Sequence, residues 1–263
     1  MSIPRKYLKF LVDVSVTMVL WVYFTLGFVV LFSLFYVAAY FFSRDTIRSF
    51  QKLNHLYLRS FFWLLQTIAP GLAIHVDERI KDLRACVIVS NHRSYLDPLL
   101  LVSTFERHST IVKSDFFRVP IFGRIVKASG YLPSSRQGNL ASLLIRRVKY
   151  MCGYLSEGGV LFVFPEGTRT RDGRIGRFNK GAFKIARRCD VPIDVICMTN
   201  TEKLFPPGRF FFNTCVDNRI EVRWVGRIVP NGDGQVPMEA YMTEARDMMN
   251  EYMDSRSIPA EYV

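Results

Sequence analysis

The amino-acid sequence predicts an α/β fold, with a largely parallel central sheet flanked by helices and an N-terminal membrane-embedded helical segment. From residue 74 onward, short apolar runs alternate with stretches of helical periodicity, as expected where helices connect parallel strands. Upstream, no side chain between residues 14 and 42 carries a charge, and this run is longer than the roughly 20 residues that a spanning helix needs. We therefore expect an N-terminal anchor over residues 1–52, an interfacial or amphipathic helical segment over 53–75 and a folded domain over 76–263.

The net charge of the chain limits the classes of molecule that it is expected to bind. The 263 residues include 35 Lys and Arg against 23 Asp and Glu, which gives a net charge of +12. Such an excess indicates anionic partners: nucleic acid, an anionic bilayer or phosphorylated small molecules. The apolar N-terminus favours the last two classes, and we expect no nucleic-acid partner.

The five cysteines give no sign of a shared site. Their number is odd and no C-x-x-C occurs, so we expect neither a zinc site nor a disulfide framework, and a reducing compartment fits. Isolated cysteines within apolar runs are interpreted as small core residues.

The uncharged N-terminal run has two possible forms, a single long tilted span or a re-entrant helical hairpin that bends near Gly27. Basic residues flank both of its ends, and the positive-inside rule places the domain that follows in the cytoplasm. Residues 53–74 are rich in Phe, Leu and Trp but are interrupted by Arg59, Gln66 and Pro70. This pattern predicts an amphipathic helix, which either lies on the membrane or packs as an ordinary helix of the folded domain.

The remaining elements follow from periodicity and from breaks at Gly and Pro. Apolar or alternating runs predict strands over residues 86–89, 109–112, 160–164, 191–198 and 219–229, the last half-exposed and near a sheet edge. Helical spacing predicts helices over residues 98–105, 138–155, 180–189 and 238–253. Residues 113–124 contain Pro120 and Gly123 and are predicted to be a loop.

The strand over residues 86–89 ends at Ser90, and a histidine and an aspartate follow, His92 and Asp97. Asp97 precedes Pro98, and the two suit the N-cap and the first turn of a helix. The pair is therefore predicted on a turn between a strand end and a helix start, the edge where open α/β sheets bind ligands. It fits a general base and the carboxylate that orients it. Alternatively, Asp97 only caps the helix and His92 is a polar loop residue.

A second apolar strand, over residues 160–164, ends in a Gly-containing turn that bears Glu166 and Arg169. The planar guanidinium of arginine matches phosphate oxygens, and Thr168 and nearby backbone N–H groups add donors. Glu166 is placed to hold Arg169 or Lys113, or to bond a substrate hydroxyl. The alternative is a solvated turn with a local ion pair.

The two turns resemble motifs of the glycerolipid acyltransferases, the family of the 1-acyl-sn-glycerol-3-phosphate acyltransferases. Four blocks match the family in order and spacing: residues 91–97 (NHRSYLD), residues 113–136, residues 164–169 (FPEGTR) and residues 191–193 (VPI). The resemblance covers roughly residues 74–229. Asp194 departs from the family pattern, and residues 201–218 have no counterpart that we can match.

The resemblance implies transfer of an acyl group from acyl-CoA or acyl-carrier protein to the free hydroxyl of 1-acyl-sn-glycerol-3-phosphate, giving phosphatidic acid. It implies that His92 takes the proton of the attacking hydroxyl and that Asp97 orients His92. The family motifs supply the expected phosphate-binding residues: Arg169, Lys113 and Arg136, with Glu166, Gly167 and Thr168 shaping the pocket. We expect no metal and no cofactor, since the acyl donor is itself a substrate.

The expected partners are membrane lipids, the lysophospholipid acceptor and the acyl-CoA or acyl-carrier-protein donor. The catalytic domain, residues 76–263, is expected at the cytoplasmic face of a membrane, the inner membrane of a bacterium. Two alternatives stay open. One is an acyltransferase for another lyso-lipid, such as a lyso-ornithine lipid or a lysophospholipid undergoing remodelling. The other is a catalytically silent, membrane-bound module that binds lipid or protein.

Overall fold

The computed structural model describes residues 3–134, 140–169, 174–231 and 236–256. The helices are α1 (Ile3–Val22), α2 (Ser33–Phe42), α3 (Thr46–Ile68), α4 (Glu78–Lys81), α5 (Leu96–Thr104), α6 (Phe122–Ala128), α7 (Ala141–Ser156), α8 (Gly181–Cys189), α9 (Thr201–Leu204) and α10 (Met238–Ser255). The strands are β1 (Leu72–Val76), β2 (Cys86–Ser90), β3 (His108–Val112), β4 (Leu132–Pro133), β5 (Val160–Val163), β6 (Ile193–Thr199) and β7 (Asn218–Ile228). A π-helical segment, Tyr23–Phe32, joins α1 to α2, and a 3₁₀ turn, Ser114–Arg118, precedes α6.

The strands form a seven-stranded sheet in the order β1-β7-β6-β2-β5-β3-β4. β2 pairs in parallel with β6 and β5, and β3 pairs in parallel with β5 and β4. Val87 of β2 lies opposite Leu161 on one side and opposite Ile193 on the other. The predicted α/β fold with a largely parallel sheet is confirmed, and the alternating strand β7 lies second from the edge, as its half-polar pattern indicates.

β2, β5 and β6 occupy the centre of the sheet because most of their side chains on both faces are apolar. Every residue of these three strands is buried, which is typical of parallel strands covered by helices on both sides. Phe183 of α8 and Met249 of α10 belong to the same buried cluster. Because β2, β5 and β3 are parallel, the segments that follow them leave the sheet at a common edge, where the predicted site residues lie.

The chain divides into two compact units, each built from three stretches of sequence. The first unit comprises Met1–Val76, Arg93–Glu106 and Met198–Glu221, and the second comprises Asp77–His92, Arg107–Cys197 and Val222–Val263. In the first unit, α3 packs against α5 and buries an apolar face that includes Phe61, Phe62 and Leu65. The second unit contains the buried cluster around β2 and β5.

α1, the π-helical segment and α2 form a continuous helix. Residues Lys6–Phe42 of this helix are long and apolar enough to cross a membrane, by length and composition. Of the two predicted forms, the structure has the unbroken helix, and Gly27 lies inside the π-helical segment. Few side chains of this helix are buried, so a broad apolar surface faces outward.

The amphipathic helix lies earlier in the chain than the sequence predicts. It begins at Thr46 because Asp45 caps it, with Oδ1 of Asp45 accepting the backbone N–H of Arg48 at 3.0 Å. The chain then turns at Gly71, whose φ of +73° is costly for other residues, and enters β1. The prediction of a helix through residue 74 is therefore wrong, because Leu72–Val76 is a strand.

Residues 113–124 are more regular than the predicted loop. They contain the 3₁₀ turn, and α6 begins at Phe122. The backbone N–H of Gly123 donates to the carbonyl of Val119 at 2.8 Å. A Cβ added at Gly123 would lie 2.7 Å from the carbonyl carbon of Phe117, so glycine here permits close backbone packing rather than a loop.

The expectation that cysteines form no disulfide is wrong. Cys152 of α7 and Cys189 of α8 are disulfide-bonded, with Cα atoms 4.8 Å apart. The pair depends on how two helices pack, and cysteine spacing along the chain does not reveal such packing. Cys86 and Cys197 are buried, as predicted for small core residues, and burial raises the pKa of the Cys197 thiol to about 12.

Candidate active site

Asp97 lies in the first turn of α5 and is fully buried. Its Oδ2 accepts the backbone N–H of Arg93 at 2.6 Å and that of Ser94 at 2.8 Å. The predicted N-cap role is wrong, because α5 already begins at Leu96 and the carboxylate reaches back to the preceding turn. A carboxylate in the first turn of a helix is also favoured by the helix dipole. Asp97 thus fixes the turn that directly follows His92.

His92 follows β2 and is half-buried. Its imidazole stacks on the ring of Phe164, with ring centroids 4.3 Å apart and an interplanar angle of 26°. Its backbone N–H donates to Oε1 of Glu166 at 3.3 Å. The stack restricts the plane of the imidazole, and the N–H bond restricts the backbone that carries it. The imidazole of His92 is therefore held in place from two directions.

Glu166 bonds two backbone segments of the second unit. While Oε1 accepts the N–H of His92, Oε2 accepts the N–H of Gly176 at 2.8 Å. Bonds to a charged acceptor are about twice as strong as neutral ones. The sequence predicts Arg169, Lys113 or a substrate hydroxyl as the partner of Glu166, whereas these two bonds are to backbone N–H groups. The carboxylate joins the turn after β2 to the segment that precedes α8.

The turn after β5 depends on Gly167. Its φ is +72°, and its N–H donates to the carbonyl of Phe164 at 3.1 Å. A Cβ at this position would lie 3.1 Å from Nδ2 of Asn179. Asn179 in turn donates to the carbonyl of Pro165 through its backbone N–H at 2.7 Å and through its side chain at 3.0 Å. The backbone conformation and the close neighbour both favour glycine here.

The basic side chains of the predicted site differ in setting. Arg169 is partly buried on the loop after β5, where Thr168 is exposed. Lys113 follows β3 and pairs with Asp115 at 2.9 Å. The hydrogen bond from Lys113 and its positive charge lower the pKa of the Asp115 carboxyl. Arg136 lies outside the described residues.

Strand order decides which of these residues share an edge. His92, Glu166 and Lys113 follow the ends of β2, β5 and β3, which are successive neighbours in the sheet. Neighbouring strands are about 4.8 Å apart, so the end of β3 lies roughly 10 Å from the end of β2. The edge thus combines an imidazole, a carboxylate and basic side chains, which suits proton transfer next to a bound anion.

Sequence reasoning missed several contacts around the turn after β2. The stacking partner Phe164 is the first residue of the FPEGTR motif, but the motif does not reveal that its ring stacks on His92. The hydroxyl of Ser94 donates to the carbonyl of Phe205 at 2.9 Å, and the N–H of Leu96 donates to the Ser94 hydroxyl oxygen at 3.3 Å. Glu202 pairs with the guanidinium of Arg93 at 3.3 Å. These three contacts are long-range or depend on turn geometry, and the sequence pattern carries no signal for them.

Within the part of the chain that the structure describes, no group of three or more His, Cys, Asp and Glu side chains is placed to hold a metal ion. The expectation that the reaction needs no metal stays a prediction.

Comparison with known proteins agrees with the resemblance of the motifs. The Acyltransferase family model matches residues 71–199. The chloroplastic 1-acyl-sn-glycerol-3-phosphate acyltransferase BAT2 of Brassica napus is 37% identical over 123 residues, which are 47% of this chain and 35% of that protein. The chloroplastic 1-acyl-sn-glycerol-3-phosphate acyltransferase LPAT1 of Arabidopsis thaliana is 33% identical over 162 residues, 60% of this chain and 44% of that protein. The chain therefore spans less than half the length of these two relatives.

A solved structure shares the fold over the whole chain. The crystal structure of the 1-acyl-sn-glycerophosphate (LPA) acyltransferase PlsC from Thermotoga maritima superposes with a TM-score of 0.72, covering 97% of this chain and 99% of that one at 19% identity. Fold and site together define an α/β protein with a histidine-bearing turn at the carboxyl edge of a mostly parallel sheet. Over residues 71–199, just under half of the chain, the sequence matches the Acyltransferase family model.

Proposed function

We propose that this chain transfers a fatty acyl group from acyl-CoA or acyl-carrier protein to the free hydroxyl of 1-acyl-sn-glycerol-3-phosphate, giving phosphatidic acid. The observation that carries the proposal is the imidazole of His92, stacked on Phe164 and bonded through its backbone to Glu166 within a domain of the acyltransferase family. The names of the relatives support this acceptor, since they are 1-acyl-sn-glycerol-3-phosphate acyltransferases.

In the proposed mechanism, neutral His92 accepts the proton of the acceptor hydroxyl as its oxygen attacks the thioester carbonyl. The tetrahedral intermediate then collapses, the C–S bond breaks and the imidazolium returns the proton to the departing thiolate. No protein nucleophile is needed, because the acceptor itself attacks. Asp97, five residues further along in the first turn of α5, is proposed to orient the imidazole and stabilise its cation.

The acceptor phosphate is proposed to bind at the loop after β5. Arg169 can offer two parallel N–H donors to phosphate oxygens, and Lys113 and Arg136 can add positive charge. Thr168 and the backbone around Gly167 add uncharged donors. Since both oxygens of Glu166 accept backbone N–H groups, its proposed part is to shape this loop rather than to touch the anion.

We also propose that the long N-terminal helix attaches the enzyme to a membrane. The helix contacts other parts of the first unit along most of its length, from Lys9, which donates to Asn213 at 2.6 Å, to Tyr36, which donates to Asn54 at 2.6 Å. These contacts extend over about 40 Å of helix at 1.5 Å per residue, which exceeds the roughly 30 Å of a hydrocarbon core. If the helix crossed the bilayer perpendicularly, the polar residues packed against it would be buried in the hydrocarbon core. The helix is therefore proposed to lie along the cytoplasmic surface of the membrane.

Thiol labelling can test that orientation. In a Cys215→Ser background, the exposed positions Tyr7 and Phe42 are changed to cysteine one at a time, and sealed vesicles are treated with a membrane-impermeant maleimide. A helix that lies on one surface exposes both ends to the same side. If the reagent labels only one of the two positions until the vesicles are opened, the helix spans the bilayer.

The activity is tested with the full-length protein in vesicles, radiolabelled acyl-CoA and acyl-carrier protein, and a panel of lyso-lipids. The expected product is phosphatidic acid, and His92→Ala should lower turnover by roughly 10²–10⁴-fold. His75→Ala, in β1, is the matched control. Preference for a lyso-ornithine lipid or another lysophospholipid would indicate the alternative acceptors. If the folded protein acylates none of these lyso-lipids, the result would support the alternative of a catalytically silent binding module.

A further inference from the structure

One segment of the chain has no counterpart in the family resemblance, and the structure gives it a defined place in the first unit. Residues 205–217, here called the aromatic loop, follow α9 and carry four phenylalanines. The backbone N–H of Asn213 donates to the carbonyl of Leu204 at 2.8 Å, and its side chain donates to the carbonyl of Lys203 at 3.1 Å. Asn213 thereby closes the base of the loop formed by residues 205–212.

The base of the aromatic loop is bonded to α1. Oδ1 of Asp13 accepts the backbone N–H and the hydroxyl of Thr214, both at 2.8 Å, and the N–H of Cys215 at 3.3 Å. Lys9 pairs with the same carboxylate and donates to Asn213. Asp13 is the last charged residue before the long uncharged run. Lys9 and the donors of the loop together stabilise this charge, as a largely buried carboxylate requires.

The tip of the loop contacts the same face of α1 that carries Asp13. The hydroxyl oxygen of Thr17 accepts the N–H of Phe212 at 3.0 Å. One turn further, Trp21 stacks on Phe210 with ring centroids 5.6 Å apart, and its indole N–H donates to the Phe210 carbonyl at 3.4 Å. Asp13, Thr17 and Trp21 are four residues apart and lie on one face of the helix. The loop therefore lies lengthwise on α1.

The phenylalanines of the loop fall into two groups. Phe205 and Phe212 are buried and stack on each other, whereas the side chains of Phe210 and Phe211 remain 54% and 43% exposed. They adjoin a helix whose outward residues are also large and apolar, among them Phe10 next to Phe211. Contiguous apolar patches of this kind are uncommon on soluble monomers and mark an interaction surface.

We propose that the aromatic loop is a second membrane-contacting element, which inserts Phe210 and Phe211 into the lipid bilayer beside α1, and that Asp13 holds it there. The proposal rests on the membrane attachment proposed above. A bilayer fits better than a protein partner because the exposed rings continue the apolar surface of the helix. Exposed Arg209 at the loop tip suits anionic headgroups.

This insertion would tie the membrane to the turn after β2. Phe205, at the start of the aromatic loop, accepts the hydroxyl of Ser94 at 2.9 Å, and the N–H of Ser94 donates to Asp97. The same loop is therefore bonded to α1 at its base and to the Asp97 turn at its beginning. A lipid acceptor that leaves the bilayer at the loop would emerge next to that turn.

Insertion can be measured without turnover. A Cys215→Ser background removes the partly exposed free thiol, and Phe211→Cys is labelled there with the environment-sensitive fluorophore NBD. The full-length protein is bound to anionic vesicles with or without lipids that carry a nitroxide quencher on the acyl chain. Tyr150→Cys on α7, exposed to 67% in the parent, is the matched control. We expect roughly twofold quenching at position 211 and none at position 150, because interfacial apolar groups reach the acyl boundary.

The role of Asp13 needs a second variant in the same assay. Asp13→Leu removes the carboxylate that accepts Thr214 and the backbone N–H of Cys215, so quenching at position 211 should fall towards that of the control while the protein still floats with vesicles. Asp13→Asn keeps one acceptor oxygen and should retain part of the quenching, which guards against misfolding of the leucine variant. Unchanged quenching in Asp13→Leu would overturn the role of Asp13.

The outcomes separate this proposal from the one on which it rests. If the parent protein fails to float with vesicles, the membrane attachment is wrong. If it floats but position 211 is quenched no more than position 150, the attachment stands and the insertion of the aromatic loop is wrong.

Discussion

Asp194 and Arg227 form a two-point ion pair between the neighbouring strands β6 and β7. Nε of Arg227 donates to Oδ1 of Asp194 at 2.9 Å, and Nη2 donates to Oδ2 at 3.0 Å. The indole N–H of Trp224 donates to the same carboxylate at 2.9 Å. Asp194 is fully buried, while the side chain of Arg227 is 44% exposed. These bonds explain how a carboxylate is tolerated in a central strand, at a position where the sequence departs from the motif that it otherwise resembles.

The unequal burial of this pair predicts unequal costs of removing each partner. Arg227→Met leaves the buried carboxylate of Asp194 without its ion-pair partner, and should lower the free energy of unfolding by about 3–5 kcal/mol. Asp194→Asn leaves a guanidinium that water can reach, and should cost about 1–3 kcal/mol. Chemical denaturation measures both values. Lys180→Met breaks an exposed pair with Glu239 and should change stability by less than about 1 kcal/mol.

Glu166 is predicted to act by position rather than by contact with substrate. Glu166→Ala removes both acceptors, for His92 and for Gly176, and should lower kcat by roughly ten- to a hundredfold with little change in KM for the acceptor. Glu166→Gln keeps one carbonyl oxygen and should recover part of kcat. Steady-state kinetics with lysophosphatidate provides the test. A rise in KM at constant kcat would instead place Glu166 in the phosphate pocket.

Much of the fold was predictable from the sequence because local patterns encode it. The apolar runs of β2, β5 and β6 identify buried parallel strands, and their breaks identify the turns that bear His92 and Glu166. Features that depend on tertiary packing could not be predicted in this way. The Cys152–Cys189 disulfide forms because two helices pack together, and the spacing of cysteines along the sequence does not predict such a pair. α5 begins at Leu96, where the Ser94 hydroxyl accepts the N–H of Leu96 and the Asp97 carboxylate accepts N–H groups of the preceding turn. An Asp-Pro pair by itself instead predicts aspartate at the N-cap.

His55 should contribute a pH dependence to stability. It is buried in α3, with Nδ1 3.2 Å from the carbonyl of Val102, and burial lowers its pKa from the usual value of about 6.5. The unfolded chain therefore binds a proton here at a higher pH than the folded chain does. This stabilising contribution is complete above about pH 6.5 and is lost as pH falls through the lowered pKa of the folded state.

The variant His55→Asn keeps a donor for Val102 but does not titrate. We expect its melting temperature to fall less than that of the parent protein between pH 7.5 and pH 5, roughly the range in which histidines titrate. Differential scanning fluorimetry across this range measures the slope. The same substitution at His75 shows whether loss of any histidine has this effect. If the melting temperatures of His55→Asn and of the parent protein change equally with pH, His55 is not the source of the pH dependence.

The last prediction concerns what Arg169 recognises. If Arg169 binds the acceptor phosphate, Arg169→Ala should reduce kcat/KM for lysophosphatidate by roughly ten- to a hundredfold, since a bond to a charged group contributes about 1.5–3 kcal/mol. Monoacylglycerol, which lacks the phosphate, should be affected much less. Arg169→Lys should recover only part of the loss, because an ammonium cannot reproduce the two parallel donors of a guanidinium.

A structural role for Arg169 would give a different pattern of results. If the residue only holds the loop after β5, Arg169→Ala would lower the melting temperature and depress both acceptors alike. Arg188→Ala, on the exposed side of α8, is the matched arginine control and should leave both acceptors unchanged. Lys113→Ala should show the same preference against phosphate if its side chain shares the site, even though it pairs with Asp115 in the free protein. Equal losses on both acceptors, together with a lower melting temperature for Arg169→Ala alone, would make Arg169 structural and leave the phosphate to other residues.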